Sequence, residues 1–228
     1  MIEIDGSEGE GGGQILRTSM ALSLLLGKDI RIESIRAKRS KPGLAAQHLA
    51  GINLVYEMGN QNGSSSIDGN ALGSTTLEYH PGPAESRGSG SAALEADPHT
   101  AGSITLMIQV ALPVLLLRDV LKASTESHPC YSLRLGGGTN VSFSPPIEHV
   151  QHVLIPILLR MTGGSGLSID VDRYGYFPRG GGAVKLVISP ATRIQSFNHA
   201  RKEGESRGPC EVKVIFNSHC PPSVCSTA

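Results

Sequence analysis

"GGGQILRTSMALSLLLG", residues 11–27, is answered about ninety residues later by "AGSITLMIQVALPVLLL", residues 101–117. Each stretch sets a glycine, one polar residue and an isoleucine (Gly13-Gln-Ile15, Gly102-Ser-Ile104) at the head of an apolar run with helical spacing. The order downstream also recurs. The first helix, Gly13 to Leu26, stops at Gly27. A strand in "KDIRIESIRA" (28–37), a Pro42-Gly43 turn, a helix in "LAAQHLAGINLVYEMGN" (44–60) and two short strands within 64–82 follow. The second run leads into strand "YSLRL", loop "GGGTN", helix "PIEHVQHVLIPILLRM", strand "LSIDVDRYGY", turn "PRGGG" and strand "AVKLVIS". Recurrence at a fixed distance is the mark of an internal repeat. The predicted fold class is α+β: two copies of one unit, each a small sheet covered by two helices.

Around this core the reading is less regular. Ile2–Ile4 reads as a short strand. Residues 81–99, "PGPAESRGSGSAALEADPH", read as a linker or loop. The expected organisation is a first repeat over 1–85, a second over 86–190, and an irregular tail over 191–228 in which "EVKVIF" is a lone strand without a partner.

Composition excludes several classes. The 228 residues carry 20 basic and 20 acidic side chains, so anion binding must be local rather than spread over a basic coat. Tryptophan is absent and aromatics are 4% of the chain, which argues against a base-stacking platform. The apolar run from Ile104 to Leu117 is too short to span a bilayer and holds Thr105, Gln109 and Pro113, so a buried helix is expected. The acidic, alternating start "MIEIDGSEGE" is not a signal peptide. Cys130, Cys210, Cys220 and Cys225 form no CxxC pair, and reduced thiols in an intracellular protein are expected.

Four glycines in five positions, Gly9 to Gly13, open the first helix. Such a turn aims free backbone N–H groups at one point, at the positive end of the helix dipole, where an anion is held. Arg17 lies one turn further along and reaches the same place. Glu10 supplies a hard oxygen suited to a divalent metal. The other reading is that the glycines serve only a tight strand-to-helix turn. "RIESIRAKRSKPG" is the one concentrated basic segment, with Arg31, Arg36, Lys38, Arg39 and Lys41 against Glu33. Charge runs commonly line a solvated strand end. Here Arg36 and Arg39 flank a strand end before a turn, and the arginine fork fits phosphate. Gln47-His48 begins the second helix. His149, His152 and Glu148, and separately Cys210, His219, Cys220 and Cys225, have weak metal-site spacing and are set aside. Gly88-Ser-Gly90-Ser-Ala-Ala93 matches GxGxxA, but no apolar strand precedes it.

Taken together, "DGSEGEGGGQILR", "IRAKRSKPGLAAQHL", "HTAGSITLMIQVALP", "GGTNVSFSPPIEH" and "GYFPRGGG" resemble, in order, the signature stretches of the RNA 3′-terminal phosphate cyclases, over roughly Ile2 to Pro190. The resemblance implies repeats of two helices on a four-stranded sheet. It also implies ATP-dependent conversion of an RNA 3′-phosphate to a 2′,3′-cyclic phosphate: AMP is stored on a histidine, passes to the 3′-phosphate, and leaves when the 2′-hydroxyl attacks. ATP and a divalent metal (Mg or Mn) are the implied cofactors, RNA 3′-phosphate ends the partners, and the nucleus the location by likeness to eukaryotic members. By position, Glu10 resembles the metal-side carboxylate. Arg17, Arg36, Arg39, Gln47 and His48 resemble the phosphate and RNA-end pocket. Gln109 and Pro145 resemble residues lining the ATP site, and rest on resemblance alone. The family's histidine nucleophile lies in a third repeat, beyond an inserted domain. None of the eight histidines here falls in its motif. The expectation is a truncated product, with residues 191–228 fitting the family weakly and the last dozen not at all. The alternatives are a catalytically dead nucleotide- or RNA-end-binding fragment and a cyclase-like ribosome-biogenesis protein.

Overall fold

The computed structural model describes residues 1–60, 63–83, 93–122, 130–164, 166–191 and 193–195. Its first half runs β1 (Ile2–Asp5), α1 (Gly13–Leu26), β2 (Ile30–Glu33), α2 (Ala46–Gly59), β3 (Ser66–Asp68) and β4 (Leu77–His80). The second runs β5 (Ala93–Ala96), α3 (Ile104–Lys122), β6 (Tyr131–Gly137), α4 (Ile147–His149), a π-helical Val150–Leu154, α5 (Ile155–Met161), β7 (Leu167–Arg173) and β8 (Gly182–Ile188). The sheets have matching topology. One has strand order β1-β2-β4-β3 and the other β5-β6-β8-β7. In each, the first pair is parallel across an intervening helix and the other two pairs are antiparallel. The chain is therefore α+β, with the two repeated units that the recurring order predicts.

Each strand alternates as a sheet with one covered face must. Ile30, Ile32, Leu77 and Tyr79 point into the core of the first sheet, and Leu133, Leu135, Val184, Leu186 and Ile188 into that of the second. The open faces carry charge in register: Glu3, Arg31, Glu78 and Asp68 across one sheet, Glu95, Arg134, Lys185 and Asp170 across the other. Arg31 thus leaves the basic segment. It bonds Glu33 at 2.7 Å and Glu78 at 2.6 Å on the open face.

α3 packs on both α1 and α2, and the helical layer unites the two halves into one hydrophobic core. Ile104, Met107, Ile108, Ala111 and Leu115 are at most 1% exposed, which is why this run is apolar over most of its surface. Among the described residues no helix is long and apolar enough to cross a membrane. Gly51 of α2 lets the helices approach: a Cβ there would stand 3.2 Å from Val110 Cγ1.

Two elements depart from the sequence reading. Ala93–Ala96, read as linker, is β5 and pairs in parallel with β6. It is a short edge strand whose alternation is carried only by Leu94 and Ala96. The single helix expected over 146–161 is divided by the π-helical turn. Pro156 has no N–H for the helical ladder, and the wider turn before it accommodates the missing bond. The 85/86 boundary, and the tail from residue 196 on with its expected lone strand, lie outside the described residues.

Candidate functional site

The glycine turn is what it has to be at Gly9 and Gly11, both at φ +57, in the left-handed region that side chains with a Cβ resist. It delivers Gly12 as the N-cap of α1 in extended conformation, with no side-chain cap. The start of α3 is built differently. Ser103 accepts the Leu106 N–H on its Oγ at 3.3 Å, and its own N–H donates to Gln47 Oε1 at 3.1 Å. One helix start is thus filled by protein groups, while the other opens on a cleft with its orphan N–H groups.

That cleft has a volume of about 610 Å³, within the usual range for small-molecule sites. Glu10, Arg17, Arg36, Arg39, Gln47, His48, Gln109 and Pro145 all line it. So do Thr18, Leu106 and Phe143, which the sequence reading did not single out. Leu106 lies one turn before Gln109 on α3, and Phe143 lies inside the "GGTNVSFSPPIEH" stretch, so position relative to these two landmarks was the available signal. The cleft takes one wall from the glycine turn, α1, the β2–α2 loop and α2, and the other from α3 and the loop after β6.

Its charged groups converge on the glycine turn. A Cβ at Gly13 would lie 2.7 Å from His48 Cδ2 and 3.2 Å from Arg17 Nη1, so only glycine admits both side chains there. Arg39 Nη2 donates to Glu10 Oε1 at 2.9 Å. Arg36, itself at φ +53, donates from Nη1 to the Gly43 carbonyl at 2.6 Å, which fixes its guanidinium beside the turn. Three guanidiniums face one carboxylate. Burial lowers the pKa of Arg17, opposed by the nearby Glu10 charge. Burial, then the Arg39 charge, lowers that of Arg36. Cations short of solvent in this way gain from an anion that replaces the lost water.

His48 is neutral here. Burial, followed by the charges of Arg36 and Arg17, pushes its pKa down to about 4. Its Nδ1 accepts the Ala45 N–H at 3.2 Å. In a neutral imidazole the proton then sits on Nε2, the atom turned toward Gly13 and the cleft. His48 is a donor with no lone pair on that side. Gln47, with its carbonyl oxygen on Ser103, offers the cleft its amide NH2. Gln109 is exposed on the far wall. Its own carbonyl gets no helical bond from position 113, because Pro113 has no N–H to give.

The metal expectation meets a sparse donor set. Among the described residues no group of three or more His, Cys, Asp or Glu could hold a metal ion. Glu10 is a single carboxylate already paired with Arg39. The described residues do not make a metal centre on their own. His149 and His152, set aside above, lie on α4 and the π-helical turn and do not line the cleft.

Comparison with known proteins gives this arrangement a context. The family model of RNA 3′-terminal phosphate cyclase matches residues 8–224. That match runs past Pro190, where the motifs stop, to residue 224, so it reaches into the last dozen residues, which were expected not to fit the family at all. A Drosophila melanogaster protein named RNA 3′-terminal phosphate cyclase is 43% identical over 196 residues, covering 86% of this chain and 49% of the relative. Proteins of the same name from Archaeoglobus fulgidus and Caldivirga maquilingensis are 44% and 42% identical, covering 84% and 91% of this chain and 52% and 53% of their own. The chain spans about half the length of these relatives. On the breadth of the family match and the level of identity, it belongs to the RNA 3′-terminal phosphate cyclase family.

Proposed function

We propose that the cleft is the phosphate- and nucleotide-binding part of an RNA 3′-terminal phosphate cyclase. In the reaction, ATP-derived AMP is transferred to an RNA 3′-phosphate. The neighbouring 2′-hydroxyl then attacks that phosphorus, and AMP leaves as the 2′,3′-cyclic phosphate forms. The observation that carries the reading is the convergence of Arg17, Arg36 and Arg39 on an uncapped helix start in one cleft. Phosphoryl transfer of this kind depends on positioning and on neutralising charge, which is what these groups supply. Arg17 and the α1 N–H groups would hold the terminal phosphate, with the His48 Nε2–H as a further donor. Gln109 and Pro145 stand on the opposite wall, where the nucleotide would lie. A divalent metal would be held by the Glu10 carboxylate together with the bound phosphates, and would supply charge neutralisation there. Residence in the nucleus belongs to the same proposal, and fluorescent tagging of the chain tests it.

A second reading has an observation of its own. His48 is the one histidine lining the cleft among the described residues, and its cleft-facing nitrogen carries a proton. Storing AMP needs a histidine lone pair. The chain by itself is therefore proposed to bind ATP and 3′-phosphorylated RNA without forming a covalent AMP adduct. Calorimetry with a short RNA bearing a 3′-phosphate or a 3′-hydroxyl tests binding, and α-labelled ATP followed by denaturing electrophoresis tests the adduct. Equal affinity for the two RNA ends would remove the phosphate-pocket reading, and an acid-labile label would remove the second one.

A further inference from the structure

Phe143 is fully exposed, at 102% of its reference surface, and is the one phenylalanine or tyrosine lining the cleft among the described residues. Its backbone sits at φ +63. A bulky side chain in that region is strained by roughly 1–2 kcal/mol. The loop holding it is tied down on both sides. Ser144 Oγ donates to the Val141 carbonyl at 2.9 Å, and the buried Thr105 hydroxyl of α3 donates to the Pro145 carbonyl at 2.8 Å. Asn140 donates to Glu148 at 2.9 Å and accepts from the Ile147 N–H at 3.4 Å. The loop is anchored at three places, yet its tip presents an aromatic ring to solvent beside Pro145 and Gln109.

We propose that Phe143 is a stacking surface for a nucleobase at the mouth of this cleft, a specificity element that favours nucleotides over bare phosphates. The inference rests on the phosphate-binding reading of the cleft. The shared chemistry is the flat face of a purine or pyrimidine, supplied either by ATP or by the terminal base of the RNA. The strained tip places the ring without further loop ordering, so the entropy cost of stacking is small. The low aromatic content counted from composition spoke against a platform. A single ring at a cleft mouth needs no platform, because one stacked base contributes affinity by itself.

The chain contains no tryptophan, so Phe143→Trp introduces one reporter. Four ligands separate the sources: ATP, inorganic tripolyphosphate, a short RNA with a 3′-phosphate, and the same RNA with an abasic 3′-terminal ribose. ATP quenching the Trp fluorescence where tripolyphosphate does not assigns the adenine. RNA quenching it where the abasic RNA does not assigns the terminal base. Phe143→Ala is expected to weaken the base-bearing ligand about tenfold and leave tripolyphosphate unchanged. Phe177→Trp, at a residue 80% exposed and outside the cleft lining, is expected to respond to none. Base-bearing ligands binding Phe143→Ala as tightly as the parent overturn the stacking role alone. If none of the four binds the parent protein in calorimetry, the phosphate-binding reading falls and this inference falls with it.

Discussion

His48 shows how much one residue's surroundings decide. The residue is 8% exposed and its imidazole lies near the charges of Arg36 and Arg17, and burial first, then those charges, drops its pKa from the ordinary value to about 4. The folded state therefore holds fewer protons than the unfolded chain between pH 6.5 and 4. That contribution is fully present above pH 6.5 and is lost as pH falls through this window, by up to about 3 kcal/mol. Denaturant titrations of the parent and His48→Asn should show the loss from pH 7 to 4.5 in the parent and a flatter profile in the variant. Parallel profiles would show that His48 is not buried as neutral imidazole. Gly13→Ala tests the other side of the same contact. Its Cβ would drive His48 and Arg17 apart, and affinity for a 3′-phosphorylated RNA should fall at least about tenfold, since a charge-assisted bond contributes roughly 1.5–3 kcal/mol. The residue types of this pocket were legible because arginines, a carboxylate and glycines cluster at turns. The protonation of His48 was not, because it depends on Arg36 and Arg17 meeting it in space.

At the scale of elements, the informative comparison is between the two helix starts. Gly12→Ser gives α1 the cap that α3 already has. Gly12 has extended backbone angles, and a Cβ there meets the flexible end of Arg39 at 3.1 Å and Glu10 Cδ at 4.0 Å. The variant should be more stable by about 0.3 kcal/mol, because glycine is itself a tolerated N-cap. The new hydroxyl takes an N–H that would otherwise face a phosphate, so binding should weaken as the melting temperature rises. Calorimetry and thermal melts on one sample measure both, and a rise in both would show that the α1 start holds no anion. Long, strongly patterned elements such as α1 and α3 could be read from the sequence. β5 could not: four residues with two inward side chains carry too little alternation, and its identity comes from β6 beside it. The division at Val150–Leu154 was hidden for a similar reason. Pro156 signals a disturbance, but whether the chain stops or widens is decided by Ile147, Val150 and Ile155 all reaching the core.

Over the whole molecule, α3 is the shared member. It touches both helices of the first half while sitting on the second sheet, so the two halves should unfold together. Gly51→Leu puts a side chain where Val110 already lies, and overpacking of this kind costs about 1–3 kcal/mol. The melt should stay a single transition at lower temperature when followed by far-UV circular dichroism. Two separated transitions would show that the halves are independent. Ligand bound between the two walls should raise that transition in step with concentration. The recurring order of elements made this architecture readable. It gave no sign that the cleft lies between the copies rather than within one, since that follows from how α3 docks.

The two helix starts also divide the labour of keeping and losing function under mutation. Ser103 and Gln47 form a closed arrangement of protein with protein, so random replacement there should deplete abundance and activity together. The start of α1 at Gly12 has no side-chain cap to lose. Replacements there should survive any selection for abundance and disappear only under selection for binding, and a saturation library scored both ways would separate a scaffold from a tool that share one topology.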